Sequence, residues 1–247
     1  MLVFMRFAGM IAFNPVLSRK NIPTQARMGL IVILTLLVAP GVSMASFETF
    51  TDWDVVIALA RELMVGLICG FVFQIFYYML IFAGDQMDMA FGLSMARAFD
   101  PGTNIQMSVS SNFLNIFFVL YLFATNSHLL LIRIFSTSFY VIPAGQGILE
   151  EKIPQFIFEL FSYGFMLAFQ LALPFVAMEL ILEFAVGILM KFIPQINVFV
   201  INIQLKVLLG FCLLFFFVPA VSSFIENYMG TMFARLQDAI LFLAPKL

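Results

Sequence analysis

GDQMDMAFGLSMARAFDPGTNIQMSVSSN, residues 84–112, separates two long apolar segments and decides how the chain is read. It holds three aspartates, one arginine, four methionines and the turn signal Asp100-Pro101-Gly102. Such a stretch is too polar to face lipid and too apolar for an ordinary solvent loop. Backbone of this mixed kind is tolerated at membrane depth only where protein buries it or where it lines a watery cavity. The stretch therefore points to a passage through a membrane assembly rather than to an anchor.

Composition supports a membrane protein. Of the 247 residues, 63% are hydrophobic and only 11% charged, with 33 phenylalanines. A soluble domain carries about 25% charged residues. The net charge of −2 leaves no basic patch for nucleic acid. Cys69 and Cys212 lie in apolar runs with no Cys or His at ligand spacing, so packing is their expected role. RMGLIVILTLLVAPGVSMA, residues 27–45, has the charge and small-residue pattern of a cleavable signal. It is read as a retained helix, because a signal sits at the extreme N-terminus.

Outward from residues 84–112 the chain reads as helices, expected over about 1–13, 28–38, 55–83, 113–141, 156–193 and 197–218. An amphipathic tail follows at about 228–243. Prolines and glycines are expected to punctuate them, among them Pro40-Gly41, Pro143, Pro194 and Pro219. Several spans are overlong. A helix over 55–83 measures roughly 44 Å, against a hydrocarbon core of about 30 Å. The span 156–193 also carries Glu159, Glu179 and Glu183. Each acid facing lipid at a helix centre costs about 2.5–3.5 kcal/mol. Tilted, kinked helical hairpins packed against other protein satisfy these constraints better than lipid-bathed spans. Arg19, Lys20 and Arg27 without an acid mark residues 18–27 as cytoplasmic, and Glu48, Asp52 and Asp54 mark residues 47–54 as external.

Along nearly its whole length the chain resembles the R-subunit family of the flagellar type III export gate and its virulence counterpart, the T subunits. The resemblance rests on Asn14-Pro15, Ile22-Pro23 and Arg27, on Arg61-Glu62-Leu63 with Gly66 and Gly70, and on Ala83-Gly84-Asp85 with Gly92-Leu93-Ser94 and Asp100-Pro101. It continues through Asn126-Ser127-His128-Leu129, Leu171-Ala172-Leu173-Pro174 and Gly187-Ile188-Leu189. Its most specific block is Pro194-Gln195-Ile196-Asn197-Val198-Phe199. GLSMARAFDP is closer to the flagellar branch than to the virulence (injectisome) one. Two departures stand out: Ser127 replaces a usual glycine, and Asn202-Ile203-Gln204-Leu205 replaces a usual Gly-Phe-Pro-Leu, removing an expected helix break.

The resemblance implies an all-α membrane protein in a helical multi-subunit export-gate assembly. Its partners would be the P- and Q-type subunits FliP and FliQ, the B- and A-type components FlhB and FlhA, and unfolded export substrates. It implies a multi-pass inner-membrane location in the flagellar basal body, with much of the chain on the periplasmic side. Residues 1–155 would be P-subunit-like and 156–247 Q-subunit-like. A plug loop would lie at 100–111, with Asp100, Pro101, Gly102, Met107, Ser110 and Ser111 as gating residues. Flexible thioethers suit a seal that yields to varied chains, so Met87, Met89 and Met95 are candidate seal residues, with core packing as the other reading. Glu62, Gly66, Gly70, Gly92, Pro194 and Gln195 are candidate subunit-contact or packing residues. Glu62 needs a basic partner, either its neighbour Arg61 or a base on another subunit. The small-xxx-small pair Gly66 and Gly70 suits close helix packing. No GxSxG, HExxH or phosphate-binding loop appears, and one histidine limits acid–base chemistry, so neither catalysis nor a cofactor is expected. A secondary transporter using Glu179 and Glu183 is the alternative of another class, opposed by the lack of matching interrupted segments in two halves.

Overall fold

No proline interrupts residues 52–90, and this stretch forms a single helix. The computed structural model describes residues 1–19, 22–42, 52–94, 108–147, 152–193 and 198–245. Seven α-helices run through them: α1 (Leu2–Ala12), α2 (Thr24–Val38), α3 (Asp52–Ala90), α4 (Val109–Ala124), α5 (Ser127–Val141), α6 (Ile153–Phe192) and α7 (Val198–Phe242). A short 3-10 turn, Ala39–Gly41, follows α2. No β-strand occurs among the described residues. The protein is an all-α membrane protein: α3, α6, α7 and the α2 segment are each long and apolar enough to cross a bilayer.

Beyond shifts of a few residues at several helix ends, three features differ from the sequence reading. The helix expected over 55–83 continues to Ala90 and contains Gly84. The expected tail is no separate element, because α7 runs unbroken for 45 residues with Pro219 inside it, and Pro174 likewise sits inside α6. An internal proline removes one hydrogen bond at a cost of about 3 kcal/mol. In an apolar environment, however, the flanking backbone groups have no water to turn to, and the helix is retained. The third difference is at 113–141, where α4 and α5 are two helices bent by 72°. Asn126 makes the break by adopting φ 56°, a left-handed conformation that asparagine tolerates. The Thr125 and Ser127 hydroxyls bond across it at 2.7 Å. His128 packs its ring 4.9 Å from that of Phe123, with Nδ1 3.3 Å from the Leu122 carbonyl.

The chain divides into two compact units, interleaved in sequence: residues 1–77, 122–162 and 229–247 form one, and 78–121 with 163–228 the other. In the first unit α1 lies against α3 backbone to backbone. A methyl at Gly9 would sit 2.6 Å from the Leu63 carbonyl oxygen, and one at Gly66 would collide with the Arg6 carbonyl. A methyl at Gly70 would meet the Met10 carbonyl at 2.9 Å. Glycine weakens a helix interior by about 1 kcal/mol; here it admits an approach that no side chain permits. Phe7, Met10, Val65, Cys69, Phe73 and Phe76 on these two helices are fully buried, the Phe7 ring 5.4 Å from that of Phe139 on α5. The second unit is built around Phe91 and Phe175, whose centroids are 5.8 Å apart, with Phe217 5.3 Å from Phe175. Gly210 leaves the space that the Phe91 ring occupies.

Candidate functional site

Residues 84–94 and 108–112, the described ends of the opening stretch, meet where α3 faces the start of α4. The first amides of a helix have no partner within it. At α4 each of the first three finds one. Asp88 of α3 accepts from Val109 at 2.7 Å and from Ser110 at 3.1 Å, and Ser108 Oγ accepts from Ser111 N at 3.1 Å. Asp88 is fully buried, and its charge sits at the positive end of the α4 dipole. The Ser111 hydroxyl reaches back to α3, donating to the Ile81 carbonyl at 2.7 Å and lying 3.1 Å from Asp85 Oδ1. Gly84 makes the approach possible, because a methyl there would strike the Ser111 backbone. Glycine and two acids, one and four residues apart on α3, thus form a clasp for the foot of α4.

Ser110 and Ser111 are accordingly buried anchors at the base of the segment. Met87 is fully buried in the second unit, whereas Met89 is 65% exposed, with Gln86 Nε2 4.0 Å from its sulfur. Gly92 ends α3 at φ +72° and donates its amide to the Met89 carbonyl at 3.3 Å. A left-handed residue just past a helix is where glycine avoids the Cβ penalty. Met95, Asp100, Pro101, Gly102, Met107, Pro194 and Gln195 lie outside the described residues.

Glu62, Gly66 and Gly70 belong to a different place, the α1–α3 contact of the first unit. Glu62 turns away from its exposed neighbour Arg61 and binds Arg6 of α1. Arg6 Nε donates to Glu62 Oε2 at 2.6 Å and Nη2 to Oε1 at 2.9 Å, a two-pronged pair. Gly145 N donates to Oε1 at 2.8 Å, and Arg6 Nη1 donates to the Ser138 carbonyl at 3.1 Å. The guanidinium carbon lies 4.1 Å from the Phe139 ring centroid. Both side chains have 0% exposure. Two full charges are therefore enclosed by hydrogen bonds and an aromatic face.

A third charged cluster joins α6 to α7 in the second unit. Lys206 Nζ is 2.6 Å from Glu179 Oε1 and 3.5 Å from Glu183 Oε1. Among the described residues, no three His, Cys, Asp or Glu side chains gather at metal-binding range. Sequence reasoning had no route to Arg6: it sits inside an apolar run, 56 residues from its partner. Its only signal was an arginine where an apolar helix has no other charge.

A family model described as bacterial export proteins, family 1, matches residues 1–232. The chain belongs to this family. Within the bacterial export proteins it is similar to the flagellar biosynthetic protein FliR of Escherichia coli strain K12, 27% identical over 96% of this chain and 90% of that protein. Similarity to the flagellar biosynthetic protein FliR of Bacillus subtilis is 27% identity over 97% and 93% of the two chains. For the protein of that name in Aquifex aeolicus it is 24% over 96% and 90%. The resemblance read from Glu62, Gly84-Asp85 and the Pro194-Gln195 block thus extends over the chain as a whole.

Proposed function

We propose that this chain is a membrane subunit of the bacterial flagellar type III protein export gate. With FliP- and FliQ-type subunits it forms the channel for unfolded flagellar proteins, in contact with FlhA- and FlhB-type components of the inner-membrane basal body. Residues 1–155 act as the P-like part and 156–247 as the Q-like part. The segment 100–111 is the seal of the closed pore. The match to an export family over residues 1–232, with relatives named for flagellar biosynthesis, carries this reading. Helix length supports it. At 39, 40 and 45 residues, α3, α6 and α7 are about 58–68 Å long, twice a hydrocarbon core of about 30 Å. Apolar helices of that length need protein around them beyond the lipid, as a multi-subunit ring provides, and the family relation favours a placement largely on the periplasmic side.

The role is structural and gating rather than enzymatic. The Asp88–Ser108–Ser111 clasp suits it, since a seal needs a fixed foot from which to move. Co-expression with FliP- and FliQ-type partners tests the assignment: the chain should enter a large detergent-stable ring. A monodisperse monomer that moves a small solute would sink it in favour of the transporter reading. Entry into an injectisome ring but not a flagellar one would move it to the virulence branch. Deleting residues 103–107 should make resting membranes leak ions while the ring still forms; unchanged ion permeability would exclude the seal.

A further inference from the structure

Lys206 offers one positive charge to two carboxylates. Glu179, its side chain 11% exposed, takes the close contact at 2.6 Å; Glu183, 57% exposed, stands at 3.5 Å. The cluster therefore keeps one surplus negative charge, and that charge is at the surface. Lys191 is two turns further along α6, about 12 Å of helical rise away, and does not answer it. On the same side of α6 as Glu183, Leu180 one turn before it and Met190 two turns after it are exposed, with exposed Phe184 at the flank.

None of the simple surroundings satisfies this patch. Lipid would leave the surplus negative charge of the cluster uncompensated in hydrocarbon. Water would leave Leu180, Phe184 and Met190 uncovered beside the charge. An apolar helix that carries a single base meets both demands at once. From this charge complementarity we infer that Glu183, with Leu180, Phe184 and Met190, is a docking contact for a membrane helix of a neighbouring gate subunit. That helix brings one lysine or arginine to Glu183. Glu179 and Lys206 position the site: their 2.6 Å contact joins α6 to α7 beside Glu183. The inference rests on the chain being one subunit of a ring, and names the chemistry of one of its contacts.

The test is ring assembly with FliP- and FliQ-type partners, scored as the fraction of this chain recovered in the complex. Glu183→Lys should lower incorporation by more than about tenfold, because like charges juxtaposed across an interface oppose binding strongly. Glu183→Gln should lower it less. Reversing one lysine or arginine in a partner's membrane helix to glutamate should restore Glu183→Lys. In those rings that Glu183→Cys still forms, the new thiol should be shielded from a charged maleimide relative to the unassembled subunit. Normal incorporation of Glu183→Lys, failure of every partner reversal to restore it, or an unshielded thiol at 183 would each overturn the contact. Failure of the unmodified chain to join any ring would instead overturn the gate-subunit reading itself.

Discussion

Arg6 and Glu62 are closed off within the first unit, while Lys206, Glu179 and Glu183 leave one carboxylate open in the second. The first pair has its hydrogen bonds supplied by its own chain, from Ser138 and Gly145. The second cluster has an unequal count of charges, and its extra member faces outward. In a chain that is 11% charged, each buried or half-buried ion has to be accounted for. A sealed pair specifies how the helices of one unit meet; a surplus charge at an apolar surface calls for another molecule.

The sharpest way to break this contrast is at Glu62. Glu62→Ala leaves the Arg6 guanidinium buried without its counter-ion, and should destabilise the subunit by about 3–5 kcal/mol. Thermal unfolding in detergent and abundance in membranes would read this; a loss under about 1 kcal/mol would refute the sealed pair. Next is Gly66→Val, which drives a branched side chain into the Arg6 carbonyl. Overpacking of this kind costs about 1–3 kcal/mol, which the same assays should read as lost stability. Asp88→Ala removes the acceptor for two amides of α4 and should cost about 0.5–2 kcal/mol, with Asp88→Asn closer to the original. Hydrogen exchange at Val109 and Ser110 should rise first. The smallest change is expected for Glu183→Ala, under about 1 kcal/mol of subunit stability, since Glu179 keeps Lys206. A large loss of subunit stability there would erase the distinction between the two clusters.

The helices were legible because apolar runs of this length admit little else. Their ends were less so, for definite reasons. Gly84 looked like the start of an interruption, but its missing side chain serves contact with Ser111 rather than a turn. Pro219 looked like a terminator, a reading that holds where water can take up the freed backbone groups. The break at Asn126 was hidden inside an apolar stretch, although Thr125-Asn126-Ser127 was the available sign. Within the candidate site, the need of Glu62 for a base could be read directly. The base itself could not, because Arg6 is brought to it by the glycine contact of α1 and α3, which only the fold reveals. The Asp88 cap escaped for the same reason: acid and amides are 21 and 22 residues apart.

The arginine network also sets a timetable. Glu62 follows Arg6 by 56 residues, but the Ser138 carbonyl that completes the guanidinium's shell follows it by 132. At synthesis rates of about 5–20 residues per second, roughly 4–15 s separate the emergence of Glu62 from that of Ser138. During that interval the carbonyl that completes the guanidinium's shell has not yet been made. α1 is thus made well before the α5 residue that completes the shell of its arginine.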